Sequence, residues 1–364
     1  MPLGPDTRFD TRLPALRGGL LALLAALLFG VSTPLVQRFG VDVGAFTTAA
    51  LLYAGAALAG AALRRPAAQE ARLLRSDLPR LLAMAAFGAV VGPVALAWGL
   101  QRTSATSASL MLTLEALFTA LLAWRLYRET MDRRVWGAMV LLLAGGMVLV
   151  VDQGASGETG LWGVLAVLLA TAAWGVDNTL SRALAERDPG QVVMAKASLG
   201  AAATAAIAFG LREPLPEAVA MLALFAIGAV GYGLSLRFYL LAQRAFGAGR
   251  TGSVFAFAPF IGAGFALALG DRSAGWPMAL GSGLMLAGVL LHLAESHGHA
   301  HRHDPDEHEH AHRHDDGHHG HEHDHHHDPA PGPLPAGAHS HRHRHAPQQH
   351  AHPHVPDAHH MHRH

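Results

Sequence analysis

The stretch that decides the fold is AWGLQRTSATSASL, residues Ala97–Leu110, because a related stretch, YLLAQRAFGAGRTGSV, recurs at Tyr239–Val254. The two stretches align through the shared pairs Gln101-Arg102 and Gln243-Arg244. Their offset is about 142 residues, and self-similarity at a fixed offset is the signature of a repeated structural unit. The chain is therefore predicted to consist of two copies of one unit.

Each copy is built from apolar segments long enough to cross a bilayer, for which about 20 mostly apolar residues are needed. The chain is 51% hydrophobic and 15% charged, whereas a soluble domain carries about 25% charged residues. This composition argues against a soluble all-helical core and predicts an all-α membrane protein. The ten predicted transmembrane helices are Gly18–Val36, Val43–Leu63, Leu81–Leu100, Ser104–Tyr127, Val135–Val151, Gly160–Leu180, Val192–Phe209, Ala218–Leu241, Thr251–Leu269 and Trp276–Leu293.

The two copies are predicted to enter the membrane in opposite senses. A second pair of stretches, LLFGVSTPL at Leu27–Leu35 and TAAWGVDNTL at Thr171–Leu180, aligns at nearly the same offset. Each copy contains five helices, and an odd number inverts the copy that follows. The sequence thus predicts two inverted five-helix repeats, residues 18–152 and 158–294, an architecture that many secondary transporters share.

Arginine-rich loops predict the orientation, because cytoplasmic loops carry an excess of Lys and Arg. Arginines are frequent in the amino-terminal segment 1–17 and in the loops after the second and fourth helices, whereas the segment DQGASGET after the fifth helix has none. Both termini are predicted to be cytoplasmic in a multi-pass protein of the cell membrane. The first apolar run continues through VSTPLVQRF without a small-residue cleavage site, which favours a retained helix over a signal peptide.

The run GLQRTSATSASLMLTLEALFTALLAWRLYRETMDRRVWGAMVLLLAGGMVLV, Gly99–Val150, resembles the EamA-like members of the drug/metabolite transporter superfamily. The positions that match the family pattern are Glu115, Glu129, Gly137, Gly145 and Gly146. Two departures stand out: Ala116 replaces the proline after the helix-4 acid, and Ala258 stands where the second repeat would carry an acid before Pro259. The resemblance extends over about residues 18–294 and implies a ten-helix transporter of a small metabolite or drug.

Ionisable side chains within the predicted helices are candidates for the transport pathway, since a charge at the bilayer centre costs roughly 2.5–3.5 kcal/mol on insertion scales. Glu115 lies near the middle of helix 4, where desolvation favours its neutral form and would allow it to take up and release a proton. Asp177 and Asn178 lie near the end of helix 6, and Lys196 lies at a similar depth in helix 7. An ion pair between Asp177 and Lys196 is predicted, either as a structural contact or as a gate.

Polar residues in helices 1 and 8 complete the predicted pathway. Ser32 and Thr33 occupy the repeat positions of Asp177 and Asn178. In helix 8, Tyr232 and Ser235 share a face by their spacing of three residues.

Two tryptophans, Trp98 and Trp174, lie within apolar segments. Either residue could line a substrate cavity or pack within the bundle, and packing is the preferred interpretation.

The segment 295–364 differs sharply from the body, because all 27 histidines lie at or after His292. It has no apolar periodicity and is predicted to be a disordered cytoplasmic tail. Imidazole is a common metal ligand, and the tail is predicted to bind Ni, Zn or Cu; a physiological metal role and incidental affinity are both left open. The candidate ligands are His297, His299, His301, His303, His308, His310, His312, His314, His325, His326 and His327.

The leading functional hypothesis is a secondary active transporter that exports a small organic metabolite or drug against proton uptake. The first alternative is a transition-metal (Ni, Co or Zn) carrier, or a metal-regulated membrane protein that uses the tail; the second is a receptor or scaffold. No nucleophile–base constellation or phosphate-binding loop is present, so the sequence predicts no enzyme and no required cofactor. The expected partners are the lipid bilayer, the small-molecule substrate and divalent metal at the tail; the formal net charge of zero gives no reason to expect nucleic acid, and the oligomeric state is left open.

Overall fold

Within the described part of the body, nine helical segments are long and apolar enough to cross a membrane, and a tenth apolar helix, Trp276–His292, is shorter. This computed structural model describes residues 12–64, 71–127, 133–155, 157–184, 187–246, 248–273 and 275–293 of the body, and residues 297–303, 306–312, 339–345 and 348–354 of the tail. We number the segments in chain order as spans 1 to 10: Arg17–Gly40, Ala45–Ala62, Arg75–Leu100, Ala105–Leu126, Arg133–Ala155, Glu158–Ser181, Pro189–Gly210, Ala218–Ala245, Thr251–Ala268 and Trp276–His292. The predicted ten-helix membrane fold is confirmed.

Six spans are single helices, with bounds Arg12–Gly40, Ala45–Ala62, Arg133–Ala155, Glu158–Ser181, Pro189–Gly210 and Trp276–Leu293. The first helix continues through Pro34. A short 3₁₀ turn, Arg182–Leu184, follows span 6.

Spans 4 and 9 are each broken into two helices, where the sequence predicted one. Span 4 consists of Ala105–Met111 and Leu114–Tyr127, and span 9 consists of Ala248–Phe255 and Ala258–Ala268. In span 9 the break precedes Pro259, whose ring would clash with the carbonyl four residues earlier. The prediction of continuous helices was wrong at both positions, and in span 4 the break occurs without a proline.

Spans 3 and 8 each contain a π-helical segment. Span 3 runs through a 3₁₀ turn, two α-helices and the π segment between them: Arg75–Asp77, Leu78–Met84, Ala85–Val91 and Gly92–Leu100. Span 8 runs through Ala218–Ile227, the π segment Gly228–Leu234 and Ser235–Phe246. The two π segments lie at matching positions of the two repeats. Such segments are rare and occur frequently at functional sites.

The two repeats interlock instead of standing side by side. Span 2 packs along span 7, span 1 packs against spans 8 and 9, and span 5 packs along span 10. Small residues permit this approach: a Cβ atom at Gly228 would lie 1.9 Å from the carbonyl oxygen of Leu52. Packing through small residues is typical of helices in lipid. The interior therefore forms at the interface between the repeats.

The tail contains four short strands: β1 His297–His303, β2 Asp306–His312, β3 His339–His345 and β4 Gln348–His354. Strand β1 pairs with β4 and β2 with β3, both antiparallel, with His299 opposite His352. The disorder predicted for the segment 295–364 stays a prediction. Four of the candidate metal ligands lie outside the described residues: His314, His325, His326 and His327.

Candidate functional site

A cavity of about 70 Å³ lies inside the bundle, and both repeats contribute to its walls. Spans 1, 2, 4, 6, 7, 8 and 9 all supply lining residues. Six of the residues predicted for the transport pathway or the ion pair line this cavity: Glu115, Asp177, Asn178, Lys196, Tyr232 and Ser235. Side chains separated by more than 100 residues in sequence thus meet in one site.

The ionisable side chains of the cavity are held in two contacts. The Nδ2 atom of Asn178 donates a hydrogen bond to Glu115 Oε1, which joins span 6 to span 4. The Nζ atom of Lys196 forms an ion pair with Asp177 Oδ2 across spans 6 and 7. Asp177 is only 5% exposed and Lys196 only 3%. The pair that the sequence suggested is therefore a buried contact at the cavity wall.

The second carboxylate oxygen of Asp177 takes no part in the ion pair. Its Oδ1 atom is buried and has no hydrogen-bond partner among the described residues. A buried acceptor without a partner is costly, because it has lost its hydrogen bonds to water. This oxygen is the unsatisfied polar group of the cavity's charged cluster.

The π segment of span 3 supports the site through one backbone carbonyl. The carbonyl oxygen of Gly88 accepts hydrogen bonds from Trp174 Nε1, at 3.0 Å, and from the hydroxyl of Tyr53. These two side chains come from spans 6 and 2, so a single carbonyl orients two walls of the cavity. Neither hydrogen bond follows from the local sequence, since the partners are 86 and 35 residues apart.

Six aromatic rings line much of the cavity: Phe29, Tyr53, Trp174, Tyr232, Tyr239 and Phe255. Sequence reasoning missed half of them, Phe29, Tyr53 and Phe255. The ring centroids of Phe29 lie 5.6 Å from Trp174 and 5.7 Å from Tyr232, both edge to face. The preferred interpretation of Trp174 as a packing residue was incomplete, because the residue also lines the cavity. A signal was available: Phe29 and Trp174 occupy the same position of the aligned stretches FGVST and WGVDN.

Other predicted residues lie outside this lining. Ser32 is 2% exposed and its Oγ atom donates to the carbonyl oxygen of Phe29 at 2.6 Å. Thr33 is also buried and does not line the cavity. Trp98, which the sequence left between cavity and packing, is 36% exposed and lies under the guanidinium of Arg102. The repeat position of Asp177 in span 1 is therefore a packing position in this structure.

Contacts between the repeats join several spans at one end of the bundle. We call it the amino end, because the helix of span 1 begins there at Arg12. Arg187 Nε lies 2.9 Å from Asp77 Oδ2, and the Arg187 carbonyl accepts a hydrogen bond from Arg244. The Leu73 amide donates to Gln191 Oε1 at 2.9 Å. Spans 3, 7 and 8 are thereby joined at this end.

At the opposite end, which we call the far end, two acidic residues of the second repeat bind the first repeat. Glu213 accepts hydrogen bonds from the amide and hydroxyl of Thr47, at 2.8 and 2.7 Å, where span 2 begins. Asp271 accepts from the amide and hydroxyl of Thr106, at 3.0 and 2.8 Å, where span 4 begins. Burial raises the pKa of Asp271, but hydrogen bonds from Ser273 and Thr106 outweigh this effect and hold the pKa below its ordinary value.

The described part of the chain contains no group of three His, Cys, Asp or Glu side chains that could hold a metal ion. In this region the structure offers no support for a metal path through the bundle.

Comparisons with known proteins agree with the fold and the two-repeat organisation. Residues 16–151 and 161–294 each match the sequence model of the EamA-like transporter family. A protein of Methanothermobacter thermautotrophicus, described as an uncharacterized transporter, is 29% identical over 236 residues, which cover 63% of this chain and 68% of that protein. A solved structure described only as "Crystal structure of protein" has a TM-score of 0.54 at 20% identity and covers 75% of this chain and 94% of its own. At that identity the likeness concerns the fold alone.

Proposed function

Because the chain belongs to the EamA-like transporter family, it is a membrane transport protein, and we propose that it exports a small organic metabolite or drug in exchange for protons. The observation that carries this proposal is the cavity between the two repeats, into which Glu115 projects. Binding sites at the interface of inverted repeats are typical of secondary transporters.

Glu115 is the residue we propose for proton coupling. It belongs to an apolar span, and its described polar partner is Asn178 Nδ2. The neutral carboxylic acid is favoured in such surroundings, whereas an ionised carboxylate is favoured when a polar ligand or water enters. A group of this kind can bind a proton from one side of the membrane and release it on the other.

Alternating access would use the contacts at the two ends of the bundle. The ion pair Asp77–Arg187 joins the repeats at the amino end, and the hydrogen bonds of Glu213 and Asp271 join them at the far end. All of them join one repeat to the other, so a rocking motion of the repeats would break one set and keep the other. We assign the amino end to the cytoplasm, because the arginine-rich loops lie there.

The experiment that tests this function is a proteoliposome assay under an imposed pH gradient, with a substrate found by comparing metabolites of cells with and without the protein. We expect the wild type to move the substrate against its gradient when protons flow the other way. Glu115→Gln should insert normally and lose pH-driven transport while retaining exchange, since glutamine keeps the shape but does not titrate.

A matched control is Glu158→Gln, because Glu158 lies at the start of span 6 and bonds the exposed Trp162 outside the cavity. This variant should transport at the wild-type rate. Wild-type pH-driven rates in Glu115→Gln would exclude the coupling role. Failure of the wild type to move any metabolite under a gradient would contradict the transport mechanism itself.

For the tail we propose metal binding as a separate property. Histidine recurs at alternate positions in the tail sequence, and imidazoles at this density would be ligands for Ni, Zn or Cu. A body with no described metal cluster gives no support to a metal carrier, so the tail is proposed to collect or buffer metal and not to form part of the path.

A further inference from the structure

We infer that the cavity selects an organic cation with an apolar, planar body; this inference rests on the proposed transport function. The first observation is a charge imbalance. Among the described residues that line the cavity, the side chains with a formal charge are Glu115, Asp177 and Lys196. Lys196 offsets Asp177, so the cluster is neutral while Glu115 is protonated and carries one net negative charge once Glu115 releases its proton as a ligand enters. A bound monovalent cation balances that charge, whereas an anion increases the imbalance.

Lys196 is a poor anchor for an anion. Its Nζ atom is already paired with Asp177 Oδ2, and the side chain is almost fully buried. The nearby cation Arg237 does not line the cavity, and its Nη1 atom donates to the carbonyl oxygen of Leu63 at 2.7 Å. Recognition of a carboxylate or phosphate usually relies on an available Arg or Lys. The described lining provides an occupied lysine and no arginine.

Asp177 supplies a direct contact for the cation. Its Oδ1 atom is buried at the cavity wall with no hydrogen-bond partner among the described residues. An N–H donor of a bound ammonium group would satisfy this oxygen, and a quaternary ammonium would balance its charge without a hydrogen bond. The hydroxyl of Tyr232 is a second buried lining group without a described hydrogen-bond partner, and because a hydroxyl can accept as well as donate, it is compatible with the same ligand.

The aromatic walls favour the same class of ligand. Phe29 contacts Trp174 and Tyr232 edge to face and lies 5.5 Å from Phe255. Phe255 in turn contacts Tyr239, with ring centroids 5.0 Å apart, so the rings form one connected cluster. The faces of aromatic rings carry negative charge density and attract cations, most strongly when water is excluded. The same rings bury an apolar, planar body, so the selected ligand combines a positive charge with an aromatic or similar group.

The test uses three aromatic probes that differ in charge: phenyltrimethylammonium (cation), benzoate (anion) and phenylalanine (zwitterion). Binding to the purified full-length protein in nanodiscs is measured by equilibrium dialysis. We expect the cation to bind at least about tenfold more tightly than either other probe. Tighter binding of benzoate or phenylalanine, or no binding of the cation up to about 10 mM, would overturn the inference.

Two variants locate the selectivity. Glu115→Gln removes the excess negative charge and should weaken cation binding about tenfold or more, with Glu158→Gln as the unaffected control. The double variant Asp177→Asn/Lys196→Met removes both charges of the ion pair, so neither partner is left as a lone buried charge. It retains the net charge of −1 and should bind the cation within about tenfold of the wild type. Cation binding that survives in Glu115→Gln but disappears in the double variant would show that the pair, and not the imbalance, attracts the ligand.

Transport experiments separate this inference from the proposed function. If a pH gradient drives an anionic or zwitterionic substrate, the transport function stands and the cation selectivity is wrong. If the cation binds as expected but no gradient moves any substrate, the selectivity stands and the transport function is wrong.

Discussion

Gly88 lies so close to Asp177 that a Cβ atom at position 88 would be 2.3 Å from the Cγ atom of the carboxylate. The corresponding residues of the other repeat, Gly231 and Ser32, are equally close: a Cβ atom at Gly231 would be 2.5 Å from the Cβ of Ser32. Each of these glycines lies in a π segment, Ala85–Val91 or Gly228–Leu234. The π segments therefore bring the backbone of spans 3 and 8 against the same position of spans 6 and 1.

Gly88→Ala is expected to abolish or strongly reduce transport, because the added methyl group would displace Asp177 and with it the ion pair to Lys196. Overpacking of this kind costs about 1–3 kcal/mol. The control is Gly264→Ala in the helix of span 9, where nothing lies within 4 Å of the added Cβ. Transport rates per inserted molecule compare the two variants; equal rates would mean that the contact of Gly88 with Asp177 is dispensable.

Removal of Lys196 alone should destabilise the protein far more than removal of the whole ion pair. Lys196→Met leaves Asp177 as a lone buried charge, for which the expected loss is about 3–5 kcal/mol of unfolding free energy. Asp177→Asn/Lys196→Met should lie within about 1–2 kcal/mol of the wild type. Thermal unfolding in detergent, analysed as a double-mutant cycle, measures the coupling; additive effects of the two single changes would contradict the ion pair.

Asp271 should make the far end of the bundle sensitive to acid. Its folded-state pKa lies below the ordinary value, so its contribution to stability is present at neutral pH and is lost as the pH falls through the folded-state pKa. Asp271→Asn should therefore melt at a lower temperature than the wild type at pH 7. The difference in melting temperature between Asp271→Asn and the wild type should begin to narrow near the unfolded-state pKa of about 3.9 and shrink further at lower pH. A constant difference from neutral pH to strong acid would show that ionisation of Asp271 is irrelevant to stability.

Reporter fusions test the proposed orientation. Fusions at residue 70, at residue 130 and at the C-terminus should report a cytoplasmic location, and a fusion at residue 155 should report an external one. The reason is that basic loops stay in the cytoplasm. An external C-terminus would contradict an even number of spans and, with it, the inverted repeat.

Truncation after residue 295 should leave a folded, inserted body, because it removes histidine-rich polar sequence and no apolar span. The full-length protein should bind Ni or Zn in equilibrium dialysis at a higher stoichiometry than the truncated protein. Transport of the organic substrate in metal-free buffer should be unchanged by the truncation. A truncated protein that inserts but no longer transports would mean that the tail is part of the transport machinery.

Several features of this protein could be read from the sequence because they depend on position along the chain. The offset between Gln101-Arg102 and Gln243-Arg244 indicated the repeat, and the length of each apolar run indicated the spans. Glu115 stood out because a carboxylate far from both ends of an apolar run is costly within a bilayer, although the structure places it in the first turn of the helix Leu114–Tyr127. The pairing of Asp177 with Lys196 was also accessible, since a short hairpin brings spans 6 and 7 together at equal depth.

Only the tertiary structure decided which sides of the helices meet. Tyr53 and Trp174 converge on the carbonyl of Gly88. Ser32 packs against Gly231 and does not line the cavity, although it matches Asp177 in the repeat. The physical reason is that apolar faces are chemically alike in lipid, so hydrophobicity sets the depth of a residue in the membrane but not the rotation of its helix. Rotation is set by close packing between spans that are distant in sequence, and it determines which side chains share the cavity.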